Sequence, residues 1–151
     1  MTTDRRTLWT AMGLAFARAV LGLIFFMAGE FKVFTLGPAG HVAKFFLPFQ
    51  DTFLPTWSLW AVGYTVPFVE LAAGALILLG LWRTAAYASI GAVLVTVTFG
   101  HLLHEALYPF HEHVIPRLAL LALLLLMAPE SDRFSIDELL RRRKDARAAA
   151  R

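Results

Sequence analysis

The sequence predicts an all-α protein: a transmembrane four-helix bundle with a short outer interfacial helix and a basic amphipathic C-terminal tail. Three observations carry that prediction. Hydrophobic residues fill 58% of the 151 positions and charged residues 17%, too apolar for a soluble domain of this size and unlike any disordered chain. The apolar residues gather in four stretches, near the length a helix needs to cross a hydrocarbon core of about 30 Å. The cations avoid those stretches: six of the 14 Lys and Arg lie past residue 140, at Arg141, Arg142, Arg143, Lys144, Arg147 and Arg151. A net charge of +3 and a pI near 9.7 therefore describe a membrane protein with a basic tail. That tail lacks the interleaved aromatics of a nucleic-acid platform, so no nucleic-acid partner is expected.

The spans follow in order. Leu8–Phe34 is apolar except for Arg18, Glu30 and Lys32; Trp57–Leu81 carries only Glu70; Thr84–Leu103 has no Asp, Glu, Lys or Arg. Val114–Met127 is the shortest, and it spans only if Arg117 snorkels outward and the helix stands close to the membrane normal. Residues 1–130 are thus expected to form the transmembrane domain, with spans at about 8–34, 57–81, 84–103 and 114–129, and residues 131–151 the cytoplasmic tail. Arg5, Arg6, Arg83, Arg133 and the tail fall on one side, against Lys44 on the other, so both termini are expected in the cytoplasm, across a membrane of the bacterial inner type. Arg5 and Arg6 resemble a signal-peptide start, but no small-residue cleavage site follows and Arg18 interrupts the apolar run. A retained first helix is the expectation.

The connections differ. Gly80 to Thr84 reads as a tight inner turn that makes the second and third spans antiparallel neighbours. The outer connection, Thr35–Thr56, holds Val42, Phe45, Phe46 and Phe49 at helical spacing, with Pro38 suited to a first turn and Pro48 an interruption. This predicts a short interfacial helix, anchored nearby by Trp57 and Trp60. Its aromatics read foremost as a belt packing on lipid, and alternatively as a lid over a lipid-soluble ligand. Ser135 to Glu138 has the spacing of a capping box opening a basic amphipathic helix, expected to lie on anionic head groups.

Ionisable groups within a bilayer cost about 2.5–3.5 kcal/mol each and normally face a partner inside the bundle. Arg18 lies about 15 Å beyond Leu8, and Glu70 about 16 Å beyond Leu59, at 1.5 Å per residue. Similar depth and opposite charge predict a buried Arg18–Glu70 ion pair. Arg18, Gly22, Phe25, Gly29 and Lys32 form one stripe, and Gly63, Pro67, Glu70, Gly74 and Ile77 another, whose small residues permit close approach. Such a pair serves either to fix helix register or to build a ligand, proton or quinone site. Nearer the outer surface, Glu30 and Lys32 meet His101, His104, Glu105, His111, Glu112 and His113 in level. Those histidines suit a metal ion or haem iron in ligand type, or a proton relay, although their spacing matches no strict metal motif and solvated interfacial histidines are common.

The chain has no cysteine, hence no disulfide, iron–sulfur cluster or thiolate zinc site. It also lacks a P-loop, a nucleophile elbow, a dinucleotide-binding glycine motif and HExxH, so no autonomous catalytic motif is evident.

The stretch from Arg18 through Gly22 and Gly29 to Lys32 resembles the first-helix signature of the DoxX family. Pro67 to Arg83, with Glu70, Gly74 and Gly80, is similar to its second-helix signature. The resemblance covers Arg18 to His101. It implies a four-helix membrane bundle associated with redox systems, some relatives being subunits of thiosulfate:quinone oxidoreductases, and it makes Arg18, Lys32 and Glu70 family intramembrane polar positions. The expected function is a non-catalytic membrane subunit of a redox system, with a quinone or lipid pocket near Arg18, Glu70, Phe25, Phe45, Phe49 and Pro67. Quinone is the favoured ligand, with haem or metal behind it, and the partners expected are membrane lipids and a redox protein. The alternatives are a small homo-oligomeric, proton-coupled transporter and a structural assembly factor.

Overall fold

The computed structural model describes residues 2–105, 110–127 and 132–150, and among these every regular element is helical. The first helix, α1, runs Thr2–Glu30 and passes into a π-helical turn, Phe31–Thr35, closed by the Leu36 N–H donating to the Phe31 carbonyl at 2.9 Å. The short outer helix α2 is Pro38–Phe45. Pro38 sits in its first turn, where a missing N–H breaks no helical bond. Pro48 lies in a single 3₁₀ turn, Leu47–Phe49. The remaining helices are α3 (Thr56–Leu79), α4 (Arg83–His104), α5 (Val114–Leu126) and α6 (Ile136–Ala149).

Three helical stretches are long and apolar enough to cross a membrane: Thr7–Thr35, Thr56–Leu79 and Arg83–Leu103. The fourth, α5, is apolar but has 13 residues, about 20 Å at 1.5 Å per residue. Residues 128–129, the end of the fourth predicted span, lie outside the described residues. Exposure confirms a lipid-facing surface. Phe16, Val20, Leu23 and Met27 of α1, continued by Phe31 and Phe34 of the π-helical turn, form an exposed stripe opposite the buried Leu14, Ala17, Leu21 and Phe25. Water would penalise so long an apolar strip; hydrocarbon does not.

The core pair is α1 against α3, packed antiparallel through glycines. A Cβ on Gly29 would lie 2.3 Å from the Leu71 backbone nitrogen, one on Gly74 2.4 Å from that of Phe26, and one on Gly22 2.9 Å from that of Leu78. These contacts set the register: residue 29 lies level with 71, and 22 with the last turn of α3. Buried Leu14, Leu21, Phe25, Ala73, Ile77, Tyr87, Ile90 and Leu121 carry the core across α4 and α5.

At the inner end, α3 stops at Gly80, whose φ of 65° favours glycine, and the Leu81 N–H returns to the Leu76 carbonyl at 3.0 Å. Trp82 also adopts a left-handed conformation, φ 48° and ψ 42°, at a cost of about 1–2 kcal/mol for a residue with a side chain. The first turn of α6 holds it there. Asp137 accepts from the Trp82 N–H at 3.0 Å and the Arg83 N–H at 3.1 Å, so α4 is capped by another helix; the Asp137 N–H donates to the Gly80 carbonyl at 3.0 Å. Burial alone would raise the Asp137 pKa, but these N–H donors and the Arg83 side chain outweigh it and hold the carboxyl below its ordinary value. The capping box forms by half. Ser135 Oγ accepts from the Glu138 N–H at 3.3 Å, while the Glu138 carboxylate turns forward to Arg141 and Arg142. Those two guanidiniums lower its pKa to about 2.

Candidate functional site

The intramembrane charges form two centres, at opposite ends of the α1–α3 contact. Arg18 does not meet Glu70. Its guanidinium donates to the carbonyls of Ile77 (2.8 Å), Leu78 and Phe134 (3.1 Å), and its Nε lies 3.0 Å from Asp132 Oδ2. Arg83 shares that same carboxylate oxygen at 3.3 Å. The predicted pairing fails because depth was counted from Leu8. The helix actually starts at Thr2, and its first turns reach past the α3–α4 turn, so Arg18 comes level with Gly80. Ten residues of α3 separate Gly80 from Glu70, about 15 Å. The inner cluster is a clasp that ties the start of the tail to the membrane helices.

Glu70 instead accepts from Lys32 Nζ at 2.6 Å, with the carboxylate side chain 5% exposed and the lysine 21%. Lys32 lies in the π-helical turn, a deformation that often marks functional sites. Lys32 also lines a cavity of about 530 Å³, within the range of small-ligand sites. The wall is mainly apolar, from Phe45, Phe46 and Phe49 of the outer segment and Leu59, Val62, Val66, Val97 and Phe99 of α3 and α4. Its polar groups are Lys32, His41, Ser58, Thr96 and His101. Phe45 and Phe49 belong to that wall. Phe25 and Pro67 do not line this cavity: Phe25 packs in the core and Pro67 is fully buried in α3. Glu30 ends α1 half-buried and away from the cavity wall.

His41 is a site residue that the sequence reading missed. It is 3% exposed, and its Nδ1 lies 2.7 Å from the Gly63 carbonyl. That carbonyl is available because Pro67, four residues on, has no N–H to return to it. Gly63 also leaves room: a Cβ there would lie 2.8 Å from the Phe46 ring and 3.0 Å from Val42, so its stripe position serves α2 rather than α1. Burial lowers the His41 pKa; the bond to Gly63 opposes this and the nearby Lys32 charge adds to it. The Gly63–Pro67 spacing was the signal: a proline inside a helix frees a carbonyl that needs an outside donor.

Matching these elements to known families gives one decisive finding: a family model described as "Methylamine utilisation protein MauE" matches residues 10–110. The chain belongs to the MauE family. The matched part of this MauE-family chain contains every cavity-lining residue and the stretch behind the DoxX resemblance, but not Asp132 or Asp137 of the inner clasp. No curated protein and no solved structure matches the chain.

The outer histidines are dispersed. His101 lines the cavity, whereas His111 and His113 flank Glu112 at 3.7 and 3.8 Å on an exposed turn; the His104 side chain lies outside the described residues. Among the described residues, no three His, Asp or Glu side chains converge to hold a metal ion. The Arg117 guanidinium donates to the His113 carbonyl at the start of α5.

Proposed function

We propose that this protein is a DoxX-like, non-catalytic membrane subunit of a redox system, which offers a quinone-sized or lipid-sized pocket at its outer end and works with a redox partner protein. The family's printed description ties that system to methylamine utilisation. In this reading residues 1–130 form a four-span bundle, residues 131–151 a cytoplasmic tail on anionic head groups, and both termini are cytoplasmic. The observation that carries the reading is the 530 Å³ cavity, apolar over most of its wall, with two histidines and Lys32, whose charge Glu70 balances, at its polar side. An uncharged lipophile with a polar head suits such a wall, because its tail leaves the lipid at little cost and its head finds hydrogen bonds. The transport alternative draws on the same charges, but four spans are few for a monomeric carrier.

The test is lipid-extract mass spectrometry of protein purified in mild detergent, with titration of a decyl-substituted benzoquinone. The wild type should retain or bind a lipophile, and Val62→Trp, which fills the cavity from its wall, should lose it while staying helical and monodisperse. Equal lipophile content in both proteins would overturn the reading.

A further inference from the structure

Three of the polar side chains of the cavity wall, His41, Ser58 and Thr96, are sorted into one hydrogen-bonding role, and that sorting selects among ligands. The sorting starts at His41. The Gly63 carbonyl can only accept, so the His41 nitrogen 2.7 Å away must carry the proton. In the neutral ring the other nitrogen, Nε2, is then a bare acceptor. Burial and the neighbouring Lys32 ammonium both favour that neutral form. The two hydroxyls of the wall are committed as well. Thr96 donates its proton to the Ala92 carbonyl at 2.9 Å and Ser58 to the Pro55 carbonyl at 2.7 Å, so each offers the cavity lone pairs only. Against these acceptors stands the Lys32 ammonium, whose charge is balanced by Glu70 at 2.6 Å.

We infer that the cavity selects the reduced, hydroxyl-bearing form of an uncharged lipophile, a hydroquinone over its quinone, with His41 Nε2 accepting a ligand O–H. A quinone carries acceptors alone, so His41, Thr96 and Ser58 offer it no hydrogen bond. A hydroquinone donates to His41, Thr96 or Ser58 and still accepts from Lys32 through its oxygens. The balanced ion pair gives a carboxylate-headed lipid little advantage, since Lys32 already has its counter-charge. This inference rests on the lipophile pocket proposed above and adds the redox form that the pocket takes. Pro67 is the positioning residue: by freeing the Gly63 carbonyl it fixes the tautomer, and so decides that the ring nitrogen left for the cavity accepts rather than donates.

The experiment compares a decyl-substituted benzoquinone with the matching hydroquinone, titrated anaerobically against the full chain in lipid nanodiscs by calorimetry. The wild type should bind the hydroquinone roughly fivefold to tenfold tighter, the worth of one net hydrogen bond. His41→Phe keeps the ring's bulk against Phe45 and Phe46 and should narrow the difference between the two forms. Thr96→Val, a near-isosteric change on a long helix, should weaken the hydroquinone and leave the quinone unchanged. Equal affinity of both forms for the wild type overturns the inference and leaves the pocket standing. Binding of neither form overturns both. A preference undiminished in His41→Phe and in Thr96→Val overturns the assignment of the acceptors.

Discussion

Arg18 holds four oxygens with one guanidinium: the carbonyls of Ile77, Leu78 and Phe134 and a carboxylate oxygen of Asp132. Two of those carbonyls end α3, where Ile77 also accepts from the Gly80 N–H at 3.1 Å and a cation complements the dipole. Asp132 in turn neutralises both Arg18 and Arg83. Removing one member leaves buried charge behind. Arg18→Ala and Asp132→Ala should each cost about 3–5 kcal/mol in chemical unfolding in detergent, and the double variant clearly less than their sum. Additive costs would show that the two do not interact. The stripe that carries Arg18 was legible in the sequence, because helical spacing fixes which residues share a face. Its partner was not. Asp132 lies outside every apolar stretch, 114 positions downstream, and hydropathy alone could not show that α1 overshoots the inner turn. Glu70 shows the converse: the sequence singled it out as an intramembrane charge needing a cation, and Lys32, from the same first-helix stripe, supplies one.

Among elements, the α1–α3 pair and the α6 clasp rest on different physics. Gly29 and Gly74 let two backbones touch, so any larger side chain must push the helices apart. Gly29→Leu should lower the thermal midpoint by several degrees and separate Lys32 from Glu70. Gly13, with nothing within 4 Å of an added Cβ, should tolerate Gly13→Ala without loss. A matched loss at both positions would refute the close-packed interface. The clasp is electrostatic. Asp137 and Glu138 have folded-state pKa values below their ordinary ones, so the stability they contribute is complete above about pH 4.5 and declines as pH falls toward about 2. Acidification from pH 6 to pH 3 should therefore expose α6 to protease before the apolar helices unfold, and Asp137→Asn should move that exposure toward neutral pH. Unchanged cleavage across this range would count against the clasp. The sequence announced the start of α6 through Ser135 but not its docking, because nothing local to the tail says that its first carboxylate caps a helix more than fifty residues upstream.

For the whole molecule, the proposed topology turns on α5, an apolar helix too short to cover a 30 Å core unaided. Two features ease the crossing. Arg117 reaches back to the His113 carbonyl, which carries its charge toward the outer boundary, and a locally thinned bilayer costs only fractions of a kcal/mol per Å. Because the chain has no cysteine, a single introduced thiol reports its own side of the membrane. Gln50→Cys in the outer connection and Glu112→Cys before α5 should react with an impermeant maleimide in intact cells, and Ala149→Cys only after permeabilisation. The comparison of Glu112→Cys with Ala149→Cys isolates α5, since both positions are exposed and, among the described residues, that helix and the α6 clasp lie between them. If both label from the same side, α5 does not cross. The inner clasp would then have to face the same compartment as the outer turn, yet Asp132 and Asp137 grip the α3–α4 turn at the far end of two full-length spans. The clasp and a non-crossing α5 are mutually exclusive, which makes the labelling of residue 149 a test of the fold as well as of the orientation.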